Sequence, residues 1–378
     1  MTDAGTIDIA FPTTTHATRV EASRGAASRI GPAMVEAGLS VEGRLVLAVG
    51  DSGAAEVFER VESSLRDRGA DVAWHRVEAT EANKVQATAD RIIEWAIEQG
   101  ADRGTPIVAV GGGIVCDLAG HVAGTLLRGL PLVLVPTTLL AMVDAAYGGK
   151  TAVNVPLSGG RLGRNLVGGF LPATLVAADV STLRTLPERD LRAGLAECVK
   201  HGWVDGEAHL ARLESDADAI TDGGASQTAA LEGLVRRSIE VKAAIVTRDP
   251  FEQGERRHLN LGHTFAHAIE ARPGNRWRHG EAVAIGLVAA AAASSEAGLA
   301  EAGVVERTRS LLERLGLPVA LDEAVPVEAL RALMDLDKKR KGRSLRLVLP
   351  VRPGAIEVVE GPPEAVIAAG WSAVAARP

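Results

Sequence analysis

The run Pro106-Ile-Val-Ala-Val-Gly-Gly-Gly-Ile-Val-Cys-Asp117 carries an apolar, β-branched segment directly into three glycines. Pro106–Val110 has the length and composition of a strand buried on both faces. A helix is expected to begin near Asp117. Glycines between strand and helix let backbone amides at the helix N-terminus approach a pyrophosphate closely. The spacing is neither Gly-x-Gly-x-x-Gly nor a P-loop, and a tight turn without any ligand would use the same residues.

Segments of the same two kinds alternate around this run. Leu45–Val49 reads as a strand ending at Gly50-Asp51, and helical periodicity follows over Ala54–Arg68. A strand at Asp71–Val77, a helix over Ala82–Gln99 and a strand at Leu132–Val135 continue the pattern. Such βαβ alternation predicts an α/β nucleotide-binding domain with a parallel, Rossmann-like sheet and ligands at the carboxyl ends of its strands. Asp51 then stands where an acid binds an adenosine ribose hydroxyl. From about Thr182 strand-like runs nearly vanish. Long amphipathic patterns replace them at Glu188–His201, Ala229–Arg248, Gly262–Ala271, Glu281–Ala297 and Val304–Arg314, with a short β-like stretch at Leu345–Val351. The expected organisation is an α/β domain over 1–181 and a mostly α-helical domain over 182–378, with a ligand cleft between them.

A chain of 378 residues is long enough for two such domains. Hydrophobic residues make up 47% but aromatics only 3%, so the core must be built from Val, Leu, Ile and Ala. The net charge of −7, without a basic block longer than Lys338–Lys341, counts against a nucleic-acid partner. Cys116 and Cys198 offer no disulfide framework and fit a reducing compartment. The first residues lack a signal-peptide pattern, and the longest apolar run, Ala282–Ala293, is too short and Ala-rich to span a bilayer. A soluble, cytoplasmic protein without a membrane partner is expected.

Chemistry concentrates in Leu259–Glu281, which holds three of the nine histidines. His263 and His267 are four apart on a helical pattern and share a face. His279 opens the next periodic run, beyond a Pro-Gly-Asn turn able to fold it back. Two imidazoles and one acid would give a divalent metal three protein ligands and an open position. Glu197 is the candidate acid. It lies three residues from Lys200 in an otherwise apolar helix, where a buried functional pair and a plain surface pair are both open readings. Asp144, Lys150, Asn154, Arg164 and Asn165 punctuate a Gly-rich stretch, Val143–Gly169, which reads as a long loop without structure of its own. With Lys242, Arg256 and Asn260 they make a cationic lining in an acidic protein, suited to a phosphorylated, hydroxyl-rich ligand.

Taken together, these residues resemble the dehydroquinate synthase family of sugar phosphate cyclases, from about Glu81 to Pro350. Six motifs in one order carry the likeness. They are Gly-Gly-Gly-x-x-x-Asp-x-Ala-Gly (111–120), Val-Pro-Thr-Thr-Leu-Leu-Ala (135–141), Val-Asp-Ala-Ala-Tyr-Gly-Gly-Lys-Thr-Ala-Val-Asn (143–154), Leu-Arg-Thr-Leu-Pro-Glu-Arg (183–189), Gly-Leu-Ala-Glu-Cys-Val-Lys (194–200) and the His263 segment.

The resemblance implies an enzyme with tightly held NAD and a divalent metal, usually zinc, with cobalt as the alternative. The implied reaction converts 3-deoxy-D-arabino-heptulosonate 7-phosphate to 3-dehydroquinate and phosphate, in the shikimate pathway. It proceeds by transient oxidation, β-elimination of phosphate, re-reduction, ring opening and an internal aldol. By the same resemblance Glu197, His263 and His279 match the metal ligands. Asp51, Glu81, Lys84, Gly112, Gly113, Asp117, Thr137, Thr138 and Thr182 match positions that hold NAD. Asp144, Lys150, Asn165, Lys200, Lys242, Arg256, Asn260 and His267 match the substrate pocket, and Lys338 matches a lysine that reaches it from near the C-terminus. Arg128 resembles a residue that completes the neighbouring subunit's phosphate site, which implies a homodimer.

Several positions depart from the family pattern. Ser158-Gly-Gly-Arg-Leu162 is a five-residue insertion, and Arg164 replaces the usual lysine, exchanging a point charge for a planar fork. Cys116, His121, Tyr147 and His201 also differ from the commoner residues. These changes bear on which sugar phosphate is used, so cyclases giving aminodehydroquinate or valiolone-type products are alternatives. A metal-dependent polyol dehydrogenase is a more distant one, since it would leave Lys150, Lys200, Lys242 and Arg256 without a purpose.

Overall fold

The computed structural model describes residues 17–158, 161–272, 274–323, 325–341 and 344–376, with backbone alone at 161, 225 and 335–341. The Lys338 side chain and residues 159–160 of the insertion therefore lie outside the described residues.

In chain order the strands are β1 (Arg19–Ala22), β2 (Leu45–Asp51), β3 (Asp71–Val77), β4 (Ile107–Gly111), β5 (Leu132–Pro136), β6 (Lys150–Leu157), β7 (Arg161–Phe170), β8 (Leu175–Ala178), β9 (Arg346–Arg352) and β10 (Ala355–Glu360). The first six helices are α1 (Ile30–Glu36), α2 (Ala55–Arg66), α3 (Gln86–Glu98), α4 (Gly113–Thr125), α5 (Glu188–Asp205) and α6 (Glu207–Thr221). The rest are α7 (Ala225–Arg248), α8 (His263–Glu270), α9 (His279–Glu296), α10 (Val304–Arg314), α11 (Val327–Lys341) and α12 (Glu364–Val374).

Four runs of Val, Leu and Ala without polar alternation, β2, β4, β5 and β8, form the middle of a parallel sheet in the order β1-β8-β5-β4-β2-β3. Strands of this kind need an apolar layer on each face. One layer holds Ile30, Met34, Phe58, Val61 and Leu65 from α1 and α2. The other begins at Ile92, Leu118 and Val122 from α3 and α4 and continues through Val199, Ala284 and Val374, so the sheet and the helices beyond it share one apolar interior.

Strand order reverses between β2 and β4, because the chain passes from β2 out to β3 and returns on the other side. Doubly wound sheets bind ligands at such a reversal. Pairing of Gly50 with Val110 and of Gly111 with Pro136 delivers Asp51, Gly112 and Thr137 to the same edge.

Two expectations need correction. Helix α4 begins at Gly113, not near Asp117, because an extended Gly112 (φ −76°, ψ −174°) passes straight into helical backbone. Asp117 therefore sits one turn inside the helix. Val143–Gly169 is not a structureless loop either: β6 and β7 form an antiparallel hairpin within it. Thr151 and Val153 alternate inward, and a Cβ on Gly168 would fall 1.9 Å from the Thr151 carbonyl oxygen. Gly168, one of the glycines that suggested a loop, permits close strand approach.

Every residue of the Ala282–Ala293 run but Ala292 is buried, in the central helix of the helical half, which packs against α5, α8, α10, α12 and β9. Among the described residues no helix is long and apolar enough to cross a membrane. Helices α1, α6, α11 and α12 were not anticipated. The inward stripe of α6 is only Leu210, Leu213, Ala217 and Ile220 amid acidic residues.

Candidate active site

Three helices meet backbone to backbone around Glu197. A Cβ on Gly280, in α9, would lie 1.8 Å from the Ala193 carbonyl oxygen of α5. A Cβ on Gly286 would lie 2.3 Å from the Gly262 carbonyl oxygen, just before α8. These contacts bring His279, first residue of α9, and His263, first residue of α8, to either side of Glu197 on α5.

Glu197 is 0% exposed. Its Oε1 lies 3.5 Å from His263 Nε2 and 3.4 Å from His279 Nε2, and it accepts no hydrogen bond among the described residues. A buried carboxylate oxygen without a donor is costly unless a cation sits against it. The three donor atoms lie within 4.8 Å of one another, and a carboxylate with two imidazoles suits a divalent metal. His263 Nδ1 is 3.2 Å from the Leu261 carbonyl oxygen, which can only accept, so the Nε2 lone pair faces Glu197. Burial pushes His263 down to about 3, keeping that ring neutral. Burial would lower His279 as well, but Glu197 and Glu270 on its two sides push it up to about 10.

The other oxygen of Glu197 meets the Lys200 ammonium. Both partners are buried, so this is not the surface pair that the spacing also allowed. Burial alone would raise Glu197, but the Lys200 charge holds it well below the ordinary carboxylate range. Lys200 Nζ is also 3.6 Å from Asp144 Oδ1. Lys242, on α7, donates to the same Oδ1 at 2.6 Å and to the Asp144 carbonyl at 2.5 Å. Asp144 stands on a π-helical turn, Ala141–Ala145. Buried Arg256 donates to the Gly148 carbonyl at 3.0 Å, where a side chain on residue 148 would collide with the guanidinium. Lys150 and Asn260 are gathered by the carboxylate of Glu252. Glu252 was not among the sequence candidates, although it lies just four residues before Arg256. His267 shares a face with His263, ring centres 5.7 Å apart, outside the three-donor set.

On the sheet side, Gly112 and Gly113 open α4, whose first amides have no partners within the helix. Asp51 Oδ1 accepts from Gly53 N at 3.2 Å, and Thr137 N donates to the Gly111 carbonyl at 3.0 Å. Thr138 Oγ1 accepts from Ala141 N at 3.2 Å, and buried Thr182 donates to the Asp179 carbonyl at 2.9 Å. Lys84 pairs with Asp117 and donates to Asn165 Oδ1 at 2.6 Å. Asn165 N donates to Asn154 Oδ1 at 2.9 Å, and Asn154 Nδ2 to Glu81 Oε2 at 2.8 Å. Asn165, expected beside the substrate lysines, is thus tied to the sheet side. Side-chain-free amides, with an acid on the adjacent strand end, fit a dinucleotide.

Arg164 does join the cluster, through an ion pair with Glu270. Arg128 does not: it is exposed on the 3-10 turn Leu126–Arg128 at the far end of α4, about 20 Å along the helix from Gly113.

The contact at Gly280 gives a direct prediction. Gly280→Ala is expected to lower unfolding stability by about 1–3 kcal/mol, since the added methyl must push α9 from α5. An unchanged urea midpoint would show that the helices yield without strain.

Known proteins resemble this chain over most of its length. The 3-dehydroquinate synthase N-terminal profile matches residues 74–193, and the C-terminal profile matches 194–340. The 3-dehydroquinate synthase of Symbiobacterium thermophilum is 44% identical over 338 residues, covering 89% of this chain and 92% of that protein. Among solved structures, the 2-epi-5-epi-valiolone synthase ValA of Streptomyces hygroscopicus subsp. jinggangensis, with NAD+ and Zn2+ bound, superposes with a TM-score of 0.84 at 26% identity, over 97% of this chain and 99% of that one. A 2-deoxy-scyllo-inosose synthase complexed with carbaglucose-6-phosphate, NAD+ and Co2+ gives 0.77 at 28% identity, over 91% and 92%. With family profiles that span the glycine turn and the Glu197 centre, and identity of this order over most of its length, the chain belongs to the 3-dehydroquinate synthase family.

Proposed function

We propose that this protein is a carbon–oxygen lyase that cyclises 3-deoxy-D-arabino-heptulosonate 7-phosphate to 3-dehydroquinate and releases phosphate. One observation carries the proposal: Glu197 Oε1 and the Nε2 atoms of His263 and His279 converge on one point, beside the buried ammonium groups of Lys200 and Lys242. Membership of the family and 44% identity to a 3-dehydroquinate synthase support the same reaction.

Glu197, His263 and His279 would hold the divalent cation, with zinc suited to this donor set. Gly112, Gly113, Asp117, Lys84, Asp51, Glu81, Thr137, Thr138 and Thr182 would hold NAD. When bound, NAD supplies a reversible hydride acceptor and the cation a Lewis acid for the oxygen being oxidised. The chain's own groups then orient the sugar and manage its charge. Lys150, Asn260, Arg256 and Arg164 bind the phosphate and hydroxyls. Lys200 Nζ and Lys242 Nζ stabilise negative charge on the enolate oxygen, and Asp144 keeps Lys242 in place. The His267 ring moves a proton at the ring-opening and aldol stage, while a phosphate oxygen can accept the proton lost in elimination. Lys338 is assigned to the substrate by resemblance alone. Arg128, exposed at its turn, serves the phosphate site of a second copy in a homodimer, and exposed Leu166, Val167 and Phe170 on β7 offer that contact apolar surface. A cytoplasmic location fits two buried free thiols.

A second reading has its own support. The likeness to a valiolone synthase, together with the insertion before Arg164, favours a cyclase acting on another sugar phosphate. Purified protein loaded with zinc and NAD should be incubated with a panel of sugar phosphates, following phosphate release and product mass. Dehydroquinate from the heptulosonate phosphate is the expected result. A cyclitol product from a different sugar phosphate alone would favour the second reading, and net NADH accumulation on a polyol would overturn both.

A further inference from the structure

An imidazole that binds metal through one nitrogen is usually held at the other by an acceptor that fixes its tautomer and orientation. The Leu261 carbonyl is placed to do this for His263. For His279 the acceptor is a residue that none of the assignments above uses. Glu270, last residue of α8, has Oε2 3.3 Å from His279 Nδ1. Its side chain is 5% exposed, and Oε1 pairs with the guanidinium of Arg164 on β7.

Glu270 reaches this position by helical geometry. Residues 263, 267 and 270 are spaced i, i+4, i+7, so the carboxylate lies on the face of α8 that carries both histidines. From there it spans two parts of the site. One oxygen meets a member of the three-donor set, and the other meets the hairpin bearing the insertion.

We infer that Glu270 is the positioning residue of the cation centre: it accepts the Nδ1–H of His279, aims the Nε2 lone pair between Glu197 and His263, and is itself held in that pose by Arg164. This deepens the assignment of Glu197, His263 and His279 as cation ligands and rests on it. An anionic acceptor raises the basicity of the ring more than a carbonyl does, so His279 becomes the stronger imidazole donor. Arginine at position 164 also gains a reason. A guanidinium has five donors in a planar fork, enough to hold Glu270 on one edge while another edge faces an anion. A lysine ammonium cannot divide its donors between two sides with the same rigidity.

The test uses metal-free full-length protein and zinc itself, with affinity measured by chelator competition. Glu270→Gln should weaken zinc binding about 10–100-fold and shift the visible absorption bands of the cobalt-substituted protein. Arg164→Ala, at a side chain 39% exposed, should weaken it by an intermediate factor with the melting temperature of the metal-free protein unchanged. If Glu270→Gln fails to fold, Arg164→Ala decides. Wild-type zinc affinity and an unaltered cobalt spectrum in both variants would overturn the inference while leaving the three-donor assignment standing. Failure of the wild-type protein itself to bind zinc would instead remove that assignment, and this one with it.

Discussion

Glu197→Met is expected to lose zinc binding and turnover together, and to be less stable even without metal. The substitution removes the one anionic donor facing His263 and His279. It also strips Lys200, which is 1% exposed, of the carboxylate against its ammonium. Breaking a buried pair from one side costs about 3–5 kcal/mol, because the remaining charge is left in a poor environment. The lower end is expected, since Asp144 Oδ1 stands 3.6 Å from Lys200 Nζ and supplies some compensation. The double variant Glu197→Met/Lys200→Met should recover most of that loss, as apolar replacement of a whole buried pair often does. It should still bind no zinc. Urea unfolding in the presence of a chelator, with chelator competition for zinc, separates the two effects. Zinc bound by Glu197→Met at wild-type affinity would remove Glu197 from the donor set.

Lys242→Met should have the opposite profile, with metal content intact and chemistry impaired. Among the described residues, Lys242 Nζ forms an ion pair with Asp144 alone, at 2.6 Å, and not with Glu197 of the three-donor set. Zinc affinity is therefore expected to stay within about twofold of wild type, since no donor is lost. Turnover should fall by about 10²–10³, the usual cost of removing one preorganised donor aimed at developing negative charge. The loss should appear in kcat more than in KM if the ammonium acts on charge that develops during elimination. Metal analysis beside steady-state phosphate release tests both halves. A rise in KM with kcat unchanged would make Lys242 a plain substrate-binding residue.

Much of this architecture could be read one segment at a time. Unbroken apolar runs marked β2, β4 and β5 because a strand buried on both faces has no polar side to show. Val304–Arg314 was delimited to the residue, since its apolar stripe and charged face alternate strongly. The hairpin within Val143–Gly169 was missed because its glycines look like loop punctuation, whereas Gly168 serves contact between the strands. Glu270 was legible in the i, i+4, i+7 spacing but passed over, and Glu252 had no periodic signal.

The kinds of element, the glycine turn and the histidine segment follow from local pattern, because backbone conformation and one-sided burial act over a few neighbouring residues. Which atoms share a site does not follow from it. Glu197, His279 and Arg164 lie far apart in sequence; they share a site because Gly280 and Gly286 let whole helices touch and because the Arg164 side chain on β7 reaches Glu270 on α8. Long-range packing of rigid elements sets those distances, so no reading of adjacent residues could supply them.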